Sequence, residues 1–322
     1  MTILIIGAGM AGLVAANMLR RHAVTIWEKA PALPQNHTAV LRFRTTAVSD
    51  ATGIPFTKEV VRKGLWKDGK VVNEPTLEDL NRYSLMVTGG NIFNRSIFNL
   101  SQQERWCAPR DFIAQMAKNL DIKYNRAFEK GKTGSQLRII STVPMPFMMD
   151  MFGWRDKPEF KWLPVFTIKV ELLLPIVRVC QTLYQTQDPY SWYRATLHSQ
   201  ELTLEFMLQP NEKDVTNLIV GALKAFGFGC EFVYGSDGAI KAYTMERGFS
   251  FIAPTLNTIP IGKILPIDER TRKRFMLWLT EKHGIYSLGR FACWRNILLD
   301  DVVSDVKKIE QLIEKGHTYD ER

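Results

Sequence analysis

Residues 1–30 read MTILIIGAGMAGLVAANMLRRHAVTIWEKA. Thr2 to Ile6 is short, apolar and rich in β-branched residues, the composition of a strand buried on both faces. It runs directly into Gly7-Ala8-Gly9-Met10-Ala11-Gly12. Glycine at position 7 permits a tight turn, glycine at 9 lets the backbone approach a pyrophosphate, and glycine at 12 lets the next helix lie close to the sheet. Leu13, Ala16, Met18 and Leu19 give that helix its apolar content, and Arg20-Arg21-His22 closes it. Ala23 to Trp27 is a second strand, with Glu28 at its end. The pattern predicts a βαβ unit whose helix N-terminus offers backbone N–H groups and a partial positive charge to a phosphate.

Glu28 stands 16 residues after Gly12. A carboxylate there accepts both ribose hydroxyls of a dinucleotide and repels a 2′-phosphate, which points to FAD or NAD rather than NADP. Gly7, Ala8, Gly9, Met10, Ala11, Gly12, Glu28 and its neighbour Lys29 are therefore the first cofactor-binding candidates.

The chain has 322 residues, enough for two domains or one domain with a large insertion. Its 42 Lys and Arg against 33 Asp and Glu give a net charge of +9. That suits a phosphate-bearing partner, and it equally describes a basic, well-solvated surface. Basic residues gather at 58–70, 126–132 and 270–274 without forming a polybasic tail. The four cysteines (Cys107, Cys180, Cys230, Cys293) are far apart and form no CxxC, as expected of reduced thiols in a cytoplasmic protein. Close ligand pairs are missing, so no metal site is expected. The first apolar run is too short for a signal peptide. The longest later run, Val170 to Cys180, is broken by Glu171, Pro175 and Arg178, so no membrane span is expected.

Further along, Ala39 to Thr45 alternates as a strand does, 58–73 reads as a hairpin, and Thr76 begins a helix with acids in its first turn. Pro109 to Asn119 is a helix, and Leu137 to Val143 is a strand ending at Pro144. From 158 to 208 the pattern is that of a sheet. Leu202, Leu204, Phe206 and Leu208 alternate with polar residues, which predicts one solvated face. Asn211 to Phe226 is an amphipathic helix. Gly284 to Phe291 reads as a strand and turn, and Asp300-Asp301 precede a helix carrying Val302, Val306, Ile309 and Ile313 on one stripe.

Four stretches together resemble a known group. They are GAGMAG with Glu28, ISTVP at 140–144, the segment Tyr184 to Arg194 containing PYSWYR, and LGRFACW followed by DDVVSDV at 288–306. The group is that of the amine oxidases, protoporphyrinogen oxidases and UDP-galactopyranose mutases, and the C-terminal pattern is most similar to the mutase branch. Residues 37–57 also resemble small bacteriophage flavoenzymes of thymidine hypermodification. The usual glycine pair after the ribose acid is replaced here by APALPQNH at 30–37.

The resemblance implies an α/β fold: a Rossmann-type FAD-binding domain with an inserted mixed β-sheet substrate domain. The expected FAD domain is 1–57, 110–157 and 240–322, and the expected substrate domain is 58–109 and 158–239. By position, Val143, Gly289, Arg290, Asp301 and Val302 would lie near the cofactor. A helix N-terminus at the last two would stabilise charge on a reduced flavin. His37 would lie near the flavin as a contact to ring or substrate, or serve as a loop histidine. Arg42 and Arg44 are placed to meet a pyrophosphate or an anionic substrate, or to sit on the surface. Tyr184 belongs to the expected substrate sheet. Tyr190, Trp192 and Arg194 alternate, so on a strand they would share one face, suited to stacking and to holding a carboxylate or phosphate. His37, Arg44 and Arg194 are the candidate catalytic residues.

The expected function is that of an FAD-dependent oxidase taking a hydride from a C–N bond, with a small-molecule or nucleobase amine as substrate. An aminoacyl-modified base in DNA would give the basic surface a use. Two alternatives stay open: a non-redox mutase-like flavoenzyme on a nucleotide sugar, and a non-enzymatic basic nucleic-acid-binding protein.

Overall fold

The computed structural model describes residues 1–34, 40–88, 97–131, 138–173, 179–228, 231–234, 240–243, 248–251 and 254–315. His37 and Cys230 lie outside them. In chain order the elements are β1 (Thr2–Ile6), α1 (Met10–Met18), β2 (Ala23–Trp27), β3 (Arg42–Phe43), α2 (Ala47–Thr52), β4 (Thr57–Lys67), β5 (Lys70–Val72) and α3 (Leu77–Thr88). There follow β6 (Gln103–Cys107), α4 (Phe112–Ala117), β7 (Asp121–Lys123), β8 (Arg138–Ser141), α5 (Met145–Phe152), β9 (Trp162–Leu173), β10 (Cys180–Tyr184), β11 (Arg194–His198), β12 (Glu201–Phe206) and α6 (Val215–Ala225). The last are β13 (Glu231–Tyr234), β14 (Ile240–Tyr243), β15 (Gly248–Phe251), β16 (Thr255–Ile264), α7 (Glu269–His283), β17 (Ile285–Ser287) and α8 (Leu299–Glu314).

The chain divides into two compact units. The first is Met1–Lys58, Arg105–Lys161 and Ile264–Arg322, and the second is Glu59–Glu104 and Trp162–Lys263. The second unit keeps 240–263, in contrast to the expected placement of 240–322 in the nucleotide domain. The reason is strand pairing: β14 pairs with β13 and β15, while β15 and β16 both pair with β9.

The first unit holds a five-stranded sheet in the order β17-β8-β1-β2-β7, every pair parallel. This is the Rossmann-like arrangement that the opening thirty residues predict. Strand β1 sits near the middle and is buried on both faces, with Ile3 and Ile5 on one and Leu4 and Ile6 on the other. Helix α1 is buried nearly all round because it packs against β1, α2, α4 and α8. Its one polar interior residue, Asn17, donates to the carbonyls of Leu13 and Met116 and so ties α1 to α4. Val302, Val306, Ile309 and Ile313 of α8 complete the same core. Helix α8 begins at Leu299, three residues before the start expected from sequence, because the Asp301 carboxylate accepts the Leu298 N–H at 2.8 Å and caps the helix from inside its first turn.

The second unit is a mixed sheet ordered β13-β14-β15-β9-β12-β11-β10-β4, with β5 paired to β4 and β16 to β9. The β4–β5 hairpin turns at Asp68 and Gly69, whose φ angles of 52° and 75° match the primed turns that twist with the strands. One sheet face carries Ile168, Val170, Leu183, Ala195, Leu197, Leu202 and Leu204, and α6 covers it. The opposite face differs from expectation and is treated below. Among the described residues no helix is long and apolar enough to cross a membrane.

Candidate functional site

The glycine loop is held between its two neighbouring strands. Gly7 N–H donates to the Trp27 carbonyl at 2.8 Å, and Thr142, just beyond β8, donates from both N–H and Oγ1 to the Ile6 carbonyl. At Gly12 a Cβ would stand 2.0 Å from the Gly7 carbonyl oxygen, so only glycine lets α1 approach the loop this closely. At Gly9 a Cβ would meet nothing within 4 Å. The backbone there is extended (φ −69°, ψ 176°), so glycine at this position answers no need of the protein's own packing. An open space above the start of a helix is the cradle that a pyrophosphate requires.

Glu28 closes the far side of the loop. Its carboxylate accepts the Ala8 N–H at 2.7 Å and the Ala30 N–H at 2.9 Å. The acid is thus aimed at the glycine loop from the end of β2, where a ribose would lie. Lys29 is exposed beside it. Replacing Glu28 with Ala removes a charged acceptor from two backbone donors and should lower stability by about 1.5–3 kcal/mol. Urea denaturation followed by circular dichroism measures this.

The C-terminal turn reaches the same loop within this unit. Gly289 has φ 89°, in the left-handed region, and a Cβ there would stand 2.7 Å from Ala11 Cβ. Arg290 is half-buried with its guanidinium 5.6 Å from the Phe291 ring. The turn is braced by Arg272 of α7, which is buried, donates to the Cys293 carbonyl at 3.0 Å and pairs with Glu269 at 2.7 Å. Burial pushes the Cys293 thiol up to about 11, so it stays protonated and is no nucleophile at neutral pH.

Several sequence candidates fall elsewhere. Val302 lies in the core and its N–H bonds the Leu298 carbonyl, while Asp301 is spent on capping. The polar group left over is one residue earlier. Thr45 Oγ1 donates to Asp300 Oδ1, and Asp300 Oδ2 is buried with no hydrogen-bond partner among the described residues. The sequence alone singles out neither Asp300 nor Thr45, since they are joined only by the approach of two distant segments. Arg42 is half-buried on β3 opposite Cys107, Arg44 is exposed, and Val143 is half-buried just after β8.

In the second unit the proposed face of Tyr190, Trp192 and Arg194 does not form. Strand β11 starts only at Arg194, and the residues before it turn: Tyr190 N–H bonds the Asp188 carboxylate. Tyr190 is 76% exposed, whereas Trp192 is buried in the core against α6. Arg194 is committed to Glu205, its cross-strand neighbour, in a two-pronged ion pair, and Tyr193 donates its hydroxyl to the same carboxylate. Burial raises the Glu205 carboxyl, but Arg194, Lys263 and Tyr193 more than reverse this and hold it below its usual range. Tyr184 meets Tyr83 edge-on at 5.5 Å.

What this sheet face does carry is a polar row across five strands: Lys63, Thr182, Thr196, Thr203 and Lys169 stand side by side in register. The alternating β12 pattern predicts a solvated face, yet Thr203 and Thr167 are buried there and their hydroxyls have no partner among the described residues. Buried hydroxyls of this kind are ordinarily satisfied, so they mark a place for a ligand's polar groups or for ordered water.

Residues 5–34 match the NAD(P)-binding Rossmann-like domain family. No curated protein sequence matches the chain. Among solved structures, the chain is similar to an oxidoreductase from Methanosarcina mazei at 11% identity and a TM-score of 0.56, covering 97% of this chain and 100% of that one. It is similar to PqsL from Pseudomonas aeruginosa, a probable FAD-dependent monooxygenase, at 11% identity and a TM-score of 0.51, covering 97% and 86%. It is also similar to a geranylgeranyl bacteriochlorophyll reductase-like protein from Thermoplasma acidophilum at 10% identity and a TM-score of 0.52, covering 98% and 79%. The chain therefore has the Rossmann-type fold of FAD-dependent oxidoreductases and monooxygenases. These likenesses bear out the broad part of the sequence resemblance and leave its amine oxidase branch without separate support.

Proposed function

We propose that the chain is an FAD-dependent oxidoreductase. The observation that carries this is the open Gly9 position at the start of α1, flanked by Glu28 and by the Gly289 turn against Ala11. FAD, when bound, supplies a two-electron acceptor; the protein's part is to hold and orient it and to exclude water. The Gly7–Gly12 loop would hold the pyrophosphate and Glu28 the ribose hydroxyls. Thr45 and Asp300 would meet the remainder, with the buried Asp300 oxygen accepting a hydroxyl.

The finer reading is an amine-type oxidase removing hydride from a C–N bond, with an aminoacyl-modified base in DNA as substrate. It is supported by the sequence resemblance and by the net charge of +9. The likeness to a monooxygenase favours a second reading, in which a reduced nicotinamide cofactor feeds electrons to the flavin and oxygen is inserted into the substrate. The FAD-loaded protein separates the two. Peroxide released with an amine panel, and no oxidation of NADH or NADPH, fits the oxidase. Substrate-dependent oxidation of NADH or NADPH contradicts it, and activity confined to chemically reduced enzyme on a nucleotide sugar points to the mutase.

The DNA part has its own test. Lys67 is neutralised by the buried Asp79 carboxylate at 2.9 Å, so it is unsuited to grip phosphate, whereas Arg62 is exposed. Lys63 likewise donates to Gln103 at 2.8 Å, so the test falls on the exposed pair: replacing Lys58 and Arg62 with Ala should raise KM for modified DNA several-fold and weaken its salt dependence. An unchanged KM argues for a small free substrate.

A further inference from the structure

Strands β4, β10 and β11 bring together three side chains of different chemistry. Cys180 stands directly opposite His198 in the antiparallel β10–β11 pair, so both project from the same face. Strand β4 runs parallel to β10 with Arg62 beside Gln181 and Lys63 beside Thr182. Alternation then puts Glu59 on that same face. His198 Nε2 and Glu59 Oε2 are 2.8 Å apart, and one atom each of Glu59, Cys180 and His198 all lie within 4.8 Å of one another. Cys180 is buried, while the Glu59 and His198 side chains are 26% and 25% exposed.

We propose that Glu59, Cys180 and His198 form a binding site for a divalent cation of the zinc class, with a fourth position open to water or a ligand. The donor set is one sulfur, one imidazole nitrogen and one carboxylate oxygen. Thiolate selects zinc over magnesium or calcium, and all three donors are ordinary zinc ligands. On binding, the Cys180 thiol proton leaves to solvent, and the His198 ring coordinates through Nε2 while keeping its proton on Nδ1. The charges of cation, thiolate and carboxylate then cancel, which suits a half-buried position. Tetrahedral zinc bonds of about 2.0–2.3 Å place donor atoms roughly 3.3–3.8 Å apart, so Glu59 and His198 would open by about 0.5 Å from 2.8 Å while Cys180 closes in from at most 4.8 Å, movements that side-chain rotation supplies. The ligands sit on three hydrogen-bonded strands rather than on loops, which holds the site in shape. The other acidic–histidine group, His22 with Glu310 and Glu314, differs in that Arg21 pairs with both carboxylates and already supplies the cation. This proposal goes beyond the flavin reading and does not depend on it.

The test uses the full chain, stripped with a chelator and titrated with zinc(II) against a chromophoric competitor. One equivalent should bind, and X-ray absorption at the zinc edge should show one sulfur at about 2.3 Å among lighter ligands at about 2.0 Å. Cys180→Ser and His198→Ala should each weaken binding by roughly 100-fold, while Glu310→Gln leaves it unchanged. Should a variant fail to fold, the absorption spectrum of the natural chain decides alone. Failure to bind one equivalent, a zinc shell without sulfur, or folded variants that bind as the natural chain does would each overturn the proposal.

Discussion

Gly12→Ala is expected to destabilise the first unit by about 3 kcal/mol or more and to abolish FAD binding. The added methyl would stand 2.0 Å from the Gly7 carbonyl oxygen, far inside contact distance, and neither group has freedom to retreat. Gly7 is fixed by its bond to Trp27, and α1 is fixed by α4 and α8. Gly9→Ala is the informative partner. Its methyl meets nothing within 4 Å, and the local backbone is one that alanine adopts. Stability should therefore stay within about 0.5 kcal/mol of the parent. Affinity for FAD should nonetheless fall about 100-fold, because the methyl fills the space meant for the pyrophosphate. Thermal denaturation and an FAD titration on the two variants separate a glycine needed for packing from one needed for a ligand.

Glu205→Ala is expected to cost about 3–5 kcal/mol, the second large effect. It leaves Arg194 without its two-pronged partner and Tyr193 without an acceptor, in the middle of the second unit's sheet. Glu205→Gln keeps an acceptor for Tyr193 and should cost less. The same ion pair sets part of the acid limb of stability. Glu205 and Asp79 are both held below their ordinary values when folded: burial opposes this, and the neighbouring cations Arg194 and Lys67 outweigh it. The unfolded chain therefore takes up protons first on acidification. Stability from these groups is complete above the ordinary carboxylate values of 4.5 and 3.8 and is lost as pH falls through the lower folded values. Urea midpoints between neutral and acid pH should show a shallower acid loss in Glu205→Gln than in the parent.

The fold was legible where local chemistry is unambiguous. The apolar run at Thr2–Ile6, the three glycines and Glu28 are contiguous, and each has a steric or electrostatic reason to be there. The hairpin at Asp68-Gly69 and the amphipathic α6 were legible for the same reason, since turn chemistry and helical period are local signals. Features set by pairing between distant segments, or by a side-chain cap that interrupts a simple pattern, were not. Alternation at Tyr190, Trp192 and Arg194 looks like a strand face, but an Asp188-capped turn intervenes. Polar residues at alternate positions of β12 look solvated, yet the sheet buries Thr203 and pairs Glu205. The start of α8 is hidden in the sequence because a carboxylate inside the first turn, Asp301, does the capping normally sought just ahead of it. The Glu59–Cys180–His198 group escaped for a related reason. A search for close ligand pairs cannot see three residues joined only by strand register.

The most direct test of the central claim is an equilibrium titration of the purified full-length chain with FAD, followed by flavin absorbance and fluorescence. The account predicts one FAD per chain, a perturbed flavin spectrum, and binding weakened about 100-fold in folded Gly9→Ala. A natural chain that stays colourless and takes up no FAD, or one that binds it as tightly with alanine at position 9, would contradict it.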